Sequence, residues 1–176
     1  MKRIQLILIV TMTFVLNACQ SDDDNNSEPM HTAEGIWRMQ SLELGSVYDF
    51  NGDGIASNNL ISETNCLQNE VYTFNNNGNG MYNSSETLDI ELTVDSNSNE
   101  SEYIIDCLND DSFSEPLTWS QQGNLVTLII DGEQLTGTIN GDIMTFVFDQ
   151  VYVVEVFDGT AIEEVEESVT LVLNRE

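Results

Sequence analysis

The chain predicts an all-β fold, an antiparallel meander of about eight to ten strands closing into a barrel. Three observations carry that expectation. Beyond residue 33, apolar residues recur with the period of a strand, and no stretch shows convincing helical periodicity. Paired turn residues punctuate the second half at close spacing, at Gly123-Asn124, Asp131-Gly132 and Asn140-Gly141. Such pairs supply the positive φ angles of tight hairpin turns. A meander of this size has two open edges, and joining them into a barrel removes both.

Taken in order, the first strand opens at Gly35-Ile36-Trp37 and runs to about Leu44, followed by a polar stretch at 49–59. A turn of helix is the most that residues 59–64 suggest. A second strand at 70–74 ends at Asn75-Asn76-Asn77-Gly78-Asn79-Gly80, and 81–92 is expected to continue that hairpin across a polar break at 83–86. A loop at 95–102 precedes a short strand at 103–107. Strands then follow at 117–120, 125–130, 134–139 and 143–157. In the last of these, Met144, Phe146, Phe148, Tyr152, Val154 and Val156 share one face, with Gln150 the exception. The other face carries Thr145, Asp149 and Glu155, so the first face should line the interior. Val169, Leu171 and Leu173 repeat the alternation in the final strand.

Gly35-Ile36-Trp37 resembles the lipocalin signature, a Gly-x-Trp opening the first strand of an antiparallel barrel. Residues 33–176 resemble the lipocalin-like domains of gram-negative surface lipoproteins. The resemblance implies a barrel that holds a small apolar ligand. It also implies an arginine from the C-terminal part of the chain lying across the tryptophan, and pairing of the first and last strands makes Arg175 the candidate. The second lipocalin motif, Thr-Asp-x-x-Tyr, is absent, and an ordinary core role for Trp37 is the alternative.

Residues 1–18 read as a lipoprotein signal peptide. Lys2 and Arg3 precede an apolar run at 4–16 that is too short to span a bilayer. Leu16-Asn17-Ala18-Cys19 resembles the lipobox, which implies acylation of Cys19 and cleavage just before it. The alternative is a plain signal peptide that ends near a cysteine. Acyl chains on Cys19 would anchor the chain to a membrane, each buried methylene contributing roughly 0.8 kcal/mol. Residues 19–32 read as an acidic disordered tether, too polar to offset its ordering entropy. Its Ser21-Asp22-Asp23-Asp24 resembles an export signal for the outer face of the outer membrane, and a periplasm-facing anchor is the alternative.

The formal net charge of −27 comes from 31 acidic and 4 basic residues. Removal of the leader leaves Arg38 and Arg175 as the only basic side chains. Such a surface repels phosphate backbones, so no nucleic-acid partner is expected. Catalysis is constrained by what is missing, since the chain past the leader has no lysine and its single histidine, His31, lies in the tether. That removes a Schiff-base lysine, histidine dyads within the fold and a histidine-based zinc site. Paired carboxylates stay open, but their spacing singles out no pair.

Asp49-Phe50-Asn51-Gly52-Asp53-Gly54 matches the start of a calcium loop. Hard calcium needs several oxygens, and alternate positions in a tight loop can aim Asp49, Asn51 and Asp53 inward. Ile55 would add its carbonyl and Ser57 its hydroxyl or a water. Position twelve, where a bidentate acid is expected, is Leu60, and Glu63 is the nearest substitute. A turn-forming loop that binds nothing is the alternative. Cys66 and Cys107 are the cysteines left once Cys19 is acylated, and an even pair in an oxidising compartment reads as a disulfide. Closing a loop of about 40 residues would stabilise the fold by roughly 4 kcal/mol. The alternative, a reactive thiol, lacks a basic neighbour to lower its pKa.

The expectation is therefore a non-enzymatic, surface-anchored binding module for a small apolar ligand or a partner. The alternative is a structural or adhesion module stabilised by calcium and a disulfide, with no ligand cavity. A packed or hollow interior separates the two.

Overall fold

The computed structural model describes residues 31–108 and 112–176. The segments read as a signal peptide, a lipobox at Cys19 and, up to residue 30, a tether lie outside the described residues. The elements described are β1 (Gly35–Tyr48), β2 (Ser57–Asn59), α1 (Leu60–Thr64), β3 (Val71–Phe74), β4 (Asn79–Ser84), β5 (Thr87–Val94) and β6 (Ser101–Leu108). They continue with β7 (Phe113–Gln122), β8 (Leu125–Ile130), β9 (Glu133–Asn140), β10 (Ile143–Phe157) and β11 (Ile162–Arg175).

Eight of these strands form a closed antiparallel barrel in the order β1-β3-β4-β7-β8-β9-β10-β11, with β11 returning to β1. The closing pair runs from Trp37↔Arg175 to Leu44↔Val169, so the last strand ends beside the start of the first. The barrel expected from the alternation is thus present. The helical turn at 59–64 is α1, whose Asn59 side chain caps it by accepting the Ile61 N–H.

The meander differs from expectation at one place. Residues 87–94 do not continue the β3–β4 hairpin, because β4 pairs onward with β7 and β5 pairs only with β6. The polar break around Ser85 turns the chain out of the barrel, its N–H donating to Glu70 Oε1 at 3.0 Å. The hairpin of β5 and β6 carries its own apolar face, with Leu88, Ile90 and Leu92 on one strand and Tyr103, Ile105 and Cys107 on the other. That face packs on a second core of Leu44, Phe50, Leu60, Val154 and Val169, made where β1, β10 and β11 run on past the barrel. Tyr103 fixes it there, its ring edge-on to Phe50 at 4.9 Å and its hydroxyl donating to the Glu155 carbonyl at 2.8 Å.

The main core fills the lower barrel with Trp37, Phe74, Met144, Phe146 and Leu173, each almost or wholly inaccessible to solvent. Two inward positions are left without side chains so that a neighbour can lie on the backbone. A Cβ on Gly137 would come within 2.5 Å of the Phe146 ring, and one on Gly80 within 2.5 Å of Leu117. Between the pairs Phe148↔Val169 and Tyr152↔Glu167, β10 takes four steps where β11 takes two. An even excess preserves the inward phase of a strand, so Phe148 and Tyr152 stay on the core side across the bulge.

The two ends of the barrel differ. At the end holding Trp37, residues 31–34 cross underneath and seal it. Ala33 is fully buried, its N–H donating to Gln121 Oε1 at 2.7 Å and its carbonyl accepting the Trp37 indole N–H at 2.8 Å. Arg175 lies over the Trp37 ring, 4.3 Å from its centroid, as the lipocalin resemblance implied. Its guanidinium donates to the Glu34 carbonyl at 2.7 Å and to the Thr32 carbonyl. At the opposite end, the β5–β6 hairpin and α1 cover one side only.

Candidate functional site

The uncovered side of the upper end is a cleft of about 490 Å³. Five apolar side chains wall it: Tyr82 from β4, Phe113 from β7, Ile130 from β8, Leu135 from β9 and Phe148 from β10. Each stands at an inward-facing position of its strand, in phase with the buried Leu117, Leu128 and Phe146 deeper in the barrel. Glu115, Asp131 and Glu133 complete the lining. The volume lies within the roughly 300–1,000 Å³ of ligand pockets, which are typically apolar with a few placed polar groups.

A buried acid positions the aromatic wall. Glu70, fully inaccessible, precedes β3 and accepts the Tyr82 hydroxyl at 2.6 Å on one oxygen and the Ser85 N–H on the other. Tyr82 stacks on Tyr72 with centroids 4.5 Å apart and meets Phe113 edge-on at 5.6 Å. Burial first, then the Glu70 carboxylate, raises the Tyr82 hydroxyl well above the ordinary phenol range. Burial and the neighbouring Tyr82 do the same for Tyr72. Both rings therefore stay neutral across physiological pH, and the Tyr82 hydroxyl is committed as a donor to Glu70.

Cys66 and Cys107 are bonded, with Cα atoms 5.5 Å apart across 41 residues of sequence. The bond ties β6 to the segment between α1 and β3, so the hairpin is fastened covalently to the chain that leads into the barrel. The only part of the pair that faces the protein's interior fully is Cys66, which is inaccessible and donates its N–H to Thr64 Oγ1 at 3.2 Å.

The structure places the acidic loop on the same end of the molecule, following β1. Asp49 Oδ1 and Asn51 Oδ1 both accept the Asp53 N–H, at 3.0 and 2.9 Å, and Asp49 Oδ2 accepts the Gly54 N–H at 2.8 Å. Asp53 in turn accepts the Ile55 N–H at 2.7 Å. The Asp49 and Asn51 oxygens thus converge on the Asp53 N–H, while Asp53 Oδ1 turns to Ile55. Ile55 is exposed, and Ser57 Oγ lies 3.2 Å from Ser62 Oγ. Glu63 is buried beneath the loop, where Oε2 accepts the Phe50 N–H at 3.1 Å. Among the described residues, no three His, Cys, Asp or Glu side chains form a metal-binding group.

Sequence reasoning placed Phe148 in the interior but missed the cleft as a site. Its walls come from five strands spread between Tyr82 and Phe148, and no local motif joins them. Glu70 was missed too, since one acid at a strand end reads as a solvated residue. A second recess of about 380 Å³ lies at the sealed end between His31, Thr32 and β7, with Asn76, Ser120 and Gln121 in its lining. It lacks the convergent apolar wall of the upper cleft. Comparison with protein-family models, curated proteins and solved structures finds no match to this chain.

Proposed function

We propose that this chain is a membrane-anchored, surface-exposed and non-enzymatic binding module of lipocalin-like build, whose barrel mouth holds a small apolar molecule. The observation that carries the reading is the cleft of about 490 Å³ walled by Tyr82, Phe113, Ile130, Leu135 and Phe148 inside a closed barrel. A structural module with a filled interior would have no need to leave these inward positions uncovered. The Arg175–Trp37 contact supports the lipocalin-like reading, and the lipobox at Cys19 supports the anchor on the outer membrane. The acidic loop of Asp49, Asn51 and Asp53 supports a weak calcium site at the same end, filled at roughly 0.1–1 mM as in extracellular modules. Calcium there would brace the loop that holds Phe50 in the second core.

Native mass spectrometry of the mature chain carrying Cys19→Ser, with and without a chelator, tests both parts. The expected spectrum holds a small apolar molecule released on denaturation and a calcium ion removed by the chelator. A bare chain that also fails to bind added decanol would overturn the binding module. A chain with no calcium at millimolar concentrations would reduce the acidic loop to a turn.

A further inference from the structure

The cleft is apolar in its walls and acidic at its rim, with no Lys or Arg at that end of the barrel among the described residues. Cross-strand pairing sets each acid beside an apolar wall residue, Glu115 opposite Tyr82 and Glu133 opposite Ile130. Asp131 stands in the turn between β8 and β9, exposed like Glu133. The basic side chains are elsewhere. Arg38 pairs with Glu176, and Arg175 lies over Trp37 beside Asp142, all at the sealed end. The described residues contain no lysine. An anionic headgroup entering the mouth would therefore meet carboxylates and no counter-charge. A neutral headgroup could donate a hydrogen bond to a rim carboxylate but would gain no charge–charge attraction. A positive one would meet three carboxylates and the rings of Tyr82, Phe113 and Phe148, whose faces attract cations.

We infer that the ligand class of the mouth is an apolar amphiphile with a cationic head, its tail among Ile130, Leu135 and Phe148 and its charge at the rim. This rests on the reading of the mouth as a ligand cleft. The arrangement also selects against fatty acids, which an apolar barrel lined with arginine or lysine would accept. Selectivity here comes from the repulsive term as much as from the attractive one.

Calorimetry on the mature chain carrying Cys19→Ser distinguishes the possibilities with three probes of equal tail length: decyltrimethylammonium, decanol and decanoate, each below its micelle concentration. The expected order places the ammonium about tenfold tighter than decanol, and decanoate weakest. Added salt should narrow the gap, because the rim is exposed and its charges are screened. Glu115→Gln with Glu133→Gln should bring the ammonium-to-decanol ratio toward one, with the melting temperature reporting that the variant is folded. Equal binding of all three probes, or decanoate binding best, would overturn the cationic class and leave the cleft standing. An unchanged ratio in the folded double variant would also overturn it, since the preference would then belong to the net charge of the whole chain. Failure of all three probes to bind would remove the cleft itself.

Discussion

The two ends of this barrel are made by the same strands and the same alternation, yet one is sealed by the chain that begins the barrel and the other is half covered by a hairpin outside it. At the sealed end every closing group is continuous with barrel strands: Ala33 leads into β1, Trp37 belongs to it, and Arg175 ends β11. Loss of that seal should propagate into the barrel pairing. At the mouth, β5 and β6 pair with each other and not with the barrel, and what fastens them is side-chain packing, side-chain hydrogen bonds such as that from Tyr103 to the Glu155 carbonyl, and one covalent bond. A unit held in that way can open locally without unfolding the rest, which is the usual character of elements beside a binding site. The difference separates a stability end from the end proposed to bind.

The largest expected effect comes from cutting the fastening. Cys66→Ala with Cys107→Ala should destabilise the protein by about 4 kcal/mol, from the loop-closure entropy returned to the unfolded chain. The same variant should raise amide exchange across β5 and β6 well beyond that at the sealed end, where the Ala33 N–H is bonded to Gln121. Exchange that rises uniformly at both ends would show that the hairpin and the barrel unfold as one unit, and the distinction between the ends would fail.

A smaller loss should follow Glu70→Gln. The carboxylate accepts Tyr82 on one oxygen and Ser85 on the other, so an amide must turn its NH₂ group toward one of these donors. Hydrogen bonds to a charged group contribute about 1.5–3 kcal/mol, and the variant should lose an amount of that order in a melting experiment. Because Tyr82 walls the cleft, decanol affinity should fall with it. Destabilisation with unchanged decanol affinity would mean that the acid supports the β4 turn alone.

How much of this was legible in the sequence follows from what kind of information each feature needs. The long strand was expected at 143–157 and is β10 over the same span, because its inward residues alternate without interruption by turn signals. The disulfide was legible through scarcity, with two cysteines past residue 19, and the position of Arg175 through pairing of the first and last strands and the lipocalin resemblance. The excursion of β5 and β6 was not. Leu88, Ile90 and Leu92 alternate as a barrel strand would, and a period of two says that one face is buried but not against what. The cleft was hidden for a related reason. Alternation says that Tyr82, Leu135 and Phe148 point inward, while their common depth depends on the stagger of the strands around the barrel. That stagger is a property of the closed sheet and of no single segment. Glu70 needed both pieces of information, its burial and the arrival of Tyr82 from the next strand.

The smallest effect sharpens the comparison most, because it concerns the sealed end alone. Arg175→Met keeps an apolar stem of similar length over Trp37 but removes the charge over the indole face and the donors to Thr32 and Glu34. A cation over an indole contributes about 0.5–2 kcal/mol, toward the upper part of that range when desolvated, and this guanidinium is largely covered. Arg175→Lys should recover only part of the loss, since a single ammonium does not reproduce the planar fork that serves two carbonyls and an aromatic face together. Both variants should increase exchange at Ala33, whose segment loses two of the bonds that hold it under the barrel. Neither should change the affinity of the mouth for decanol, because no mouth residue touches Arg175 among the contacts that fix it. If Arg175→Met leaves Ala33 protected, the segment is held by Gln121 and Trp37 alone and the arginine is only a neighbour. If it weakens decanol binding as much as it lowers stability, the two ends are coupled through the barrel, and the separation of a stability end from a functional end is wrong.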